Sequence, residues 1–351
     1  MPNTKNEAQS QKGHNTSLVL DALMTMKTAT RRQLAQRTGL SQPTVNSIVQ
    51  EMENKGYACP GTFAVSAGGR RPICYTLQTD HLRAATIRVL MHSLEYVVVK
   101  VDGTVVLRYS WPIAGGDTHL AALQSLLRTL LKQDRNIRVI SIGVPGVVDP
   151  RGVLYAIPQV PELEGVALAR VLKEQFDIPV YVENDMNLVA LGSVIDETGQ
   201  TTLSDMVFVH LGEGVGAGIV MGGHIIRGFS SFAGEIAYMV KPFGESKDGE
   251  TLEHLVAQAK SIAQQAKLIA GMIVSIICLL NPPVISFGST LASEEMLWHL
   301  RQECEKYLPL WTIPSFKLML NEAAAYDRGL MALVGDVLTN QIKNELIIAQ
   351  T

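Results

Sequence analysis

The stretch "FVHLGEGVGAGIV", residues 208–220, poses the first question of this chain. An apolar run leads into Gly212, Gly214, Gly216 and Gly218 at every second position, and a second apolar run follows. The pattern predicts a strand, a tight glycine turn and a returning strand. Glycines spaced in this way let a backbone close around an anion, most often a phosphate. Nucleotide binding is therefore the first function to test against the remaining residues.

The surrounding text alternates strands and helices. "YVVVKVDGTVVLRYSWPI" (96–113) reads as a hairpin turning at Asp102-Gly103, and "THLAALQSLLRTLLKQ" as an amphipathic helix. "IRVISIGVPGVVD" and "PVYVEND" read as strands, and "LARVLKEQF" and "MNLVALGSVI" as helices. A second such series runs from residue 205 to the C-terminal helix. The expected fold is α/β in two lobes, residues 81–195 and 196–332, with a helix over 333–351 returning to the first. At 351 residues, 47% hydrophobic and 18% charged, the chain is long enough and apolar enough for such cores, and global disorder is excluded.

The first eighty residues read differently. They carry nine Lys/Arg against five Asp/Glu, a net +4, which leaves −7 on the remainder. A basic front on an acidic body points to an anionic partner for the front alone. A polar leader precedes "SLVLDALMTMK" (17–27), a broadly apolar first helix. Thr30 caps a short second helix holding Leu34 and Ala35, and Gly39 ends it. Ser41 caps a third helix with Pro43 in its first turn. Along it Val45, Ile48, Val49 and Met52 recur at i, i+3, i+4 and i+7 and face a core.

The opposite face shows Ser41, Gln42, Thr44, Asn46, Ser47 and Gln50, polar and uncharged. Asn and Gln pair with adenine in a major groove, and Thr can touch thymine methyls. "TFAVS" and "ICYTL" form a hairpin whose "AGGRRP" turn carries Arg70 and Arg71 at its tip. The expectation over residues 13–80 is a winged helix-turn-helix that binds double-stranded DNA, the wing reaching phosphates or a minor groove. A three-helix bundle for protein contacts is the alternative.

Cys59, Cys74, Cys278 and Cys304 lie far apart, which fits a reducing compartment and argues against a cysteine-rich zinc site. The polar opening, without an apolar core, is expected to carry no secretory signal. The run Leu268–Leu280 is short for a bilayer span and ends in Asn-Pro-Pro, so a buried helix is expected. These readings predict a cytoplasmic protein without a membrane partner.

Five segments in order carry a resemblance: "SIGVPGVVDPRGVL", "VENDMNLVALG", "LGEGVGAGIVMGGHIIRG", "AGEIAYMV" and "LLNPPVISFGSTL". Over residues 81–335 the chain resembles the ROK family of repressors and sugar kinases, which implies the hexokinase and actin fold. The preceding winged helix resembles that of the family's transcriptional regulators. The resemblance implies that Asp185 stands where the kinases have their catalytic base. It matches Asn184, Glu235 and Glu253 to sugar contacts. Asn184 and Asp185 also suit the start of the helix that follows them, and both roles can coexist.

Three departures from the family pattern argue against kinase chemistry. The family's Asp-x-Gly-Gly-Thr-Lys phosphate turn is matched by "RVLMHSLEYVVVKVDG", with Arg88 at the Asp position and Leu90 and Met91 at the glycines. Side chains there block backbone approach to a phosphate. Glu213 occupies the second phosphate turn at a position where the kinases usually carry Thr. A carboxylate about 4 Å from a phosphate oxygen repels it by roughly 4 kcal/mol at an effective dielectric near 20. Finally, the zinc-binding histidine is Tyr238, and "KPFGESKDGETLEHL" offers only His254 in place of the family's cysteines.

The expectation is a DNA-binding regulator, by default a repressor, acting as a homodimer or homotetramer. Its kinase-like domain would sense a sugar or sugar phosphate through Asn184, Asp185, Glu235 and Glu253, with no cofactor, no metal and no catalysis. The alternatives are a sugar kinase fused to a DNA-binding domain, and a regulator with a vestigial cleft controlled by a protein partner.

Overall fold

The structure, a computed structural model, describes residues 4–63, 72–78, 80–196, 199–212, 214–239 and 251–348; for residues 4–10, 62–63, 336 and 347–348 it describes the backbone only. The N-terminal unit runs α1 (Thr4–Met26), β1 (Thr28–Thr30), α2 (Arg31–Thr38), α3 (Gln42–Asn54), β2 (Ala58–Phe63) and β3 (Ile73–Leu77). The three strands form one sheet in the order β1-β3-β2. Helix α1 begins well before the apolar residues at 17–27, so the polar leader continues the helix.

Local chemistry fixes the boundaries of α2 and α3. Thr30 and Gln33 form a reciprocal capping box, with Gln33 N–H donating to Thr30 Oγ1 at 3.2 Å and Thr30 N–H to Gln33 Oε1 at 2.9 Å. Gly39 closes α2 in the left-handed region at φ +72. Ser41 accepts from the Thr44 N–H at 3.3 Å, and Pro43 sits where a missing N–H costs nothing. Val45, Ile48, Val49 and Met52 are buried, as their spacing requires.

Two sheets of one plan follow. The first uses β4 (Arg83–Val89), β5 (Ser93–Lys100), β6 (Val105–Pro112), β7 (Ile137–Val144) and, beyond the small pair β8 (Val147–Val148) and β9 (Leu154–Tyr155), β10 (Val180–Asn184). Its order is β10-β7-β4-β5-β6, with β4, β7 and β10 parallel and β5 and β6 antiparallel. The helices α4 (His119–Gln133), α5 (Leu168–Phe176) and α6 (Asp185–Ser193) join these strands to the second lobe.

The second sheet uses β11 (Met206–Leu211), β12 (Val215–Met221), β13 (His224–Ile225), β14 (Val284–Gly288) and β15 (Ser315–Leu318) in the order β13-β12-β11-β14-β15. Again the central strand is antiparallel to the hairpin partner on one side and parallel to the strand on the other. Its helices are α7 (Leu252–Gln258), α8 (Ile262–Leu280), α9 (Glu294–Cys304) and the final α10 (Glu322–Ile348). The result is a two-lobed hexokinase/actin-like architecture behind a winged helix-turn-helix.

The glycine stretch is explained partly by packing. A Cβ on Gly218 would lie 2.2 Å from the Met186 carbonyl oxygen of α6, and one on Gly212 would lie 2.2 Å from Ser289 Oγ. Those two glycines let β12 and the turn before it approach α6 and the end of β14. Helix α8 reaches nineteen residues, longer than the apolar run in the sequence and long enough to cross a bilayer. It instead buries Ala266, Ile269, Ala270, Met272, Ile273, Ile276 and Ile277 in the second lobe's core.

Helix α10, twenty-seven residues and about 40 Å long, ties the parts together. Its N-terminal turns pack on α6 through reciprocal glycines. A Cβ on Gly192 would lie 1.7 Å from the Ala325 carbonyl oxygen, and one on Gly329 would lie 2.1 Å from that of Leu188. Its middle covers β4 and β7, and its last turns meet the N-terminal unit. There Val334, Leu338, Ile342 and Leu346 share one core with Leu20, Leu23, Val45 and Val49 and with Val97 and Val99 of β5. The alternate β5 residues Leu94, Tyr96 and Val98 fill the core on the sheet's other face.

Replacing Gly329 with Ala separates packing from propensity. Propensity alone would stabilise α10 by about 1 kcal/mol. Backbone overlap is expected to win, with urea denaturation showing a net loss of about 2 kcal/mol. A gain in stability would contradict the close crossing of the two helices.

Candidate functional site

The turn from β10 into α6 builds the floor of the interlobe cleft. Asn184 is the N-cap of α6: its Oδ1 accepts from the Asn187 N–H at 3.0 Å, while its Nδ2 donates to the Gly146 carbonyl at 2.9 Å and to Asp185 Oδ1 at 3.1 Å. Asp185 Oδ1 also accepts from the Met186 N–H at 2.8 Å, which leaves Oδ2 for the cleft. Burial raises the Asp185 carboxyl to about 6, against the lowering effects of the Met186 N–H and of His210 and Arg88.

Glu183, which sequence reasoning passed over, anchors this turn. It is buried, accepts from the Asn184 N–H and from Asn187 Nδ2 at 2.9 Å each, and pairs with Arg227 at 2.8 and 2.5 Å. A buried carboxylate so satisfied holds the floor in one geometry.

The second lobe supplies the opposite wall. Gly234, at φ +98, lets the chain pass against β12, since a Cβ there would lie 2.1 Å from the Ala217 carbonyl oxygen. Glu235 follows it, its carboxyl raised by burial and by the charge of Asp185. Glu253 enters from the first turn of α7, where the helix dipole favours a carboxylate. Asn184, Asp185, Glu235 and Glu253 all line one cleft of about 950 Å3.

The cleft also contains residues the sequence did not single out, Glu164 and His210. His210 Nδ1 lies 3.4 Å from Glu322 Oε2 at the start of α10, and Glu322 Oε1 accepts from the Ser289 N–H. The Glu322 carboxyl is held below its ordinary value, His210, the Ser289 N–H and Arg88 together outweighing the opposing effect of burial. The only prior signal for His210 was its place two residues before Gly212.

Arg88, Leu90 and Met91 belong to the end of β4 and the turn into β5. Arg88 stacks over the Tyr326 ring at 4.5 Å. The turn between β4 and β5 is closed by the Leu90 N–H on the Ser93 carbonyl at 3.0 Å. His119 Nε2 lies 2.9 Å from the Leu90 carbonyl oxygen and its Nδ1 lies 2.5 Å from Glu162. Met91 is 54% exposed. Glu213 lies outside the described residues.

The residues present do not fit the family's zinc. Tyr238 stands at the rim of the cleft, 54% exposed, with its ring 5.2 Å from that of Phe232. A neutral phenol is a poor zinc ligand. Among the described residues no three His, Cys, Asp or Glu side chains gather as a metal set; residues 240–250 lie outside them.

At the other end of the molecule, α3 turns Ser41, Gln42, Asn46, Ser47 and Gln50 to solvent, with Thr44 half-buried. Ser41 Oγ and Thr44 Oγ1 lie 2.8 Å apart. Arg32 and Arg37 of α2 are exposed too and were not foreseen. The wing tip with Arg70 and Arg71 lies outside the described residues.

A winged helix-turn-helix joined to a two-lobed, kinase-type fold defines a class of protein, and the comparisons agree. Residues 85–249 match the ROK family and residues 14–71 the MarR family. Residues 85–249 are thus similar to the ROK family, and residues 14–71 to the winged helix of the MarR family. It is 28% identical over 233 residues to the xylose repressor of Caldicellulosiruptor bescii, covering 64% of this chain and 58% of that one. It is 26% identical over 223 residues to the N-acetylglucosamine repressor of Escherichia coli, covering 61% and 54%. The chain thus spans under three fifths of the length of these relatives. Among solved structures, a ROK family transcriptional regulator, homolog of the Escherichia coli MLC protein, superposes with a TM-score of 0.72 at 17% identity, covering 96% of this chain and 99% of that one.

An acid whose folded pKa exceeds its unfolded value keeps its proton longer when folded. Asp185 therefore costs stability as pH climbs from about 4 to about 6, and the cost persists above that window. Asp185→Asn is expected to stabilise the protein at pH 7.5 by about 3 kcal/mol at most, with the gain fading by pH 4. Thermal unfolding of both proteins across this range checks it; an equal offset at every pH would contradict a raised Asp185.

Proposed function

We propose that the chain is a sequence-specific DNA-binding transcriptional regulator, by default a repressor, whose ROK domain senses a sugar or sugar derivative without phosphorylating it. The observation that carries this reading is the recognition helix α3. One face is locked into the core, and the other offers Gln42, Asn46 and Ser47 to solvent without a charge. Such a face gains little as bare surface and suits base edges, where Asn and Gln give bidentate contacts to adenine. The exposed Arg32 and Arg37 suit phosphates on either side. The xylose and N-acetylglucosamine repressors named above support the sign of regulation and the sugar class of effector.

The absence of phosphoryl transfer in this reading is supported by the replaced first phosphate turn. Leu90 and Met91 stand where a backbone must approach phosphate closely. Arg88, at the position of a metal-orienting Asp, is stacked on Tyr326. The four cleft residues retained from the kinase pattern then hold a ligand without reacting with it. As a homodimer or homotetramer the protein would read paired half-sites, and a ligand that prefers one lobe arrangement would change their spacing.

The test is selection of binding sites from a random DNA pool, followed by anisotropy titration of the selected duplex. Gln42→Ala and Asn46→Ala are each expected to weaken binding by about tenfold to a hundredfold, with melting temperatures unchanged because both residues are exposed. Failure to enrich any sequence, or full affinity in both variants, would overturn the reading.

A further inference from the structure

We infer that the free edge of strand β6 pairs with the same strand of a second copy of this chain. The two strands run antiparallel about Tyr109 and join the two first-lobe sheets into one. The pairing stands on the chemistry of the strand itself; its use in setting two DNA readers side by side rests on the function proposed above.

Strand β6 closes the first sheet at the end opposite β10, with β5 as its one neighbour in the sheet. Residues 105–110 are exposed without a break. Val105, Val106, Leu107 and Tyr109 are between 40 and 61% exposed, so apolar side chains stand on both faces of the strand. Edge strands that stay single carry lysines, prolines or inward charges that repel a neighbour. This one carries a single charge, Arg108, already neutralised by Asp327 of α10 at 2.6 Å. Its proline, Pro112, stands at the very end.

The backbone decides which residues can pair. The Ile113 N–H donates to the His92 carbonyl at 3.0 Å, and the register sets Trp111 opposite Leu94, Tyr109 opposite Tyr96 and Leu107 opposite Val98. Hydrogen-bonded pairs recur at every second residue of an antiparallel ladder. Leu107, Tyr109 and Trp111 therefore spend their N–H and C=O groups on β5, while Arg108 and Ser110 turn theirs outward. A bulge between Val98 and Val99, opposite Val105, makes the other end of the ladder irregular.

A two-fold register centred on Arg108 would set two guanidinium groups directly opposite each other, which destabilises a ladder. One centred on Leu107 would run into the irregular end. Centred on Tyr109, Arg108 of each copy exchanges both backbone bonds with Ser110 of the other. Tyr109 then meets Tyr109 of the second copy as a non-hydrogen-bonded pair, where side chains approach most closely, and Leu107 meets Trp111 on the same face. Tyr96 already braces the Tyr109 ring at 6.2 Å, so aromatic surface continues across the joint. An edge that complements itself in charge, backbone and side chains selects a second copy over a foreign strand.

The two-fold axis of such a pair stands perpendicular to the sheet, so each face continues across the joint. The face of β5 that carries Val97 and Val99 shares its core with α10 and the N-terminal unit. Both N-terminal units consequently lie on one side of the joined sheet, as readers of paired half-sites must.

The experiment is sedimentation velocity of the full chain, with cysteine cross-linking to fix the register. Cross-linking uses a Cys278→Ser background, because Cys278 is exposed. Tyr109→Cys is expected to give a disulfide-linked dimer under mild oxidation, since facing Cα atoms of a non-hydrogen-bonded pair lie about 4.5 Å apart. Leu107→Cys is expected to link about tenfold more slowly or less, because its two copies stand roughly 13 Å apart along the joint. Ser110→Pro removes an outward N–H and no bond to β5. It is expected to weaken association by about tenfold or more, with the circular dichroism spectrum unchanged. Should Ser110→Pro fail to fold, the two cysteine variants decide alone. Equal linking at both positions, linking at neither, or unchanged association of a folded Ser110→Pro overturns the inference. None of these readouts involves DNA, so each can fail while the regulator reading stands.

Discussion

Two helices cross at a distance that only glycine permits. Gly192 in α6 and Gly329 in α10 each present bare backbone to the carbonyl of the other helix, and the rest of the molecule is arranged around that crossing. Helix α6 begins at the floor of the cleft with Asn184 and Asp185. Its far side is pressed by Gly218 of β12, which belongs to the opposite lobe's sheet. Helix α10 begins beside His210 and Ser289, passes Tyr326 beneath Arg88, and ends against the N-terminal winged-helix unit. Close crossing couples all of these through rigid elements, because packed interfaces shift between discrete arrangements and do not bend continuously.

The far end of α10 is as firmly held as its start. Glu345 accepts from the Tyr57 hydroxyl, and its carbonyl oxygen accepts from Lys55 Nζ at 2.6 Å. Lys55 caps α3, and Lys343 pairs with Asp21 of α1 at 3.3 Å. Burial and the Glu345 carboxylate push the Tyr57 hydroxyl well above its ordinary value, as a committed donor requires. One helix therefore touches the cleft and the N-terminal winged-helix unit. A lobe movement that displaces Glu322 has a direct mechanical route to α3, which is what a ligand-sensing regulator needs.

Much of this was legible in the sequence, and the reasons differ by region. The N-terminal helices could be read residue by residue because Thr30, Gly39, Ser41 and Pro43 act through local chemistry. The strands of both lobes could be read from their apolar runs and turns. Asn184, Asp185, Glu235 and Glu253 were assigned through family resemblance, and they converge on one cleft although they lie far apart in the chain. What could not be read depends on long-range contact. The glycines at 212 and 218 advertised a phosphate turn, whereas Ser289 and the Met186 carbonyl, their actual neighbours, lie elsewhere in the sequence. Glu183 looked like an ordinary strand residue until Arg227 arrived from the other lobe. The stacking of Arg88 on Tyr326 joins residues 238 positions apart, and no local pattern announces it.

The central claim is that a cleft inherited from a kinase fold now governs DNA affinity. Its most direct test is the dissociation constant of the full chain for its selected duplex, measured with and without a saturating sugar that the protein binds. The account predicts a change of at least tenfold on adding the sugar, weaker binding for a repressor, with no consumption of ATP when it is supplied. An unchanged dissociation constant with the sugar demonstrably bound would contradict it.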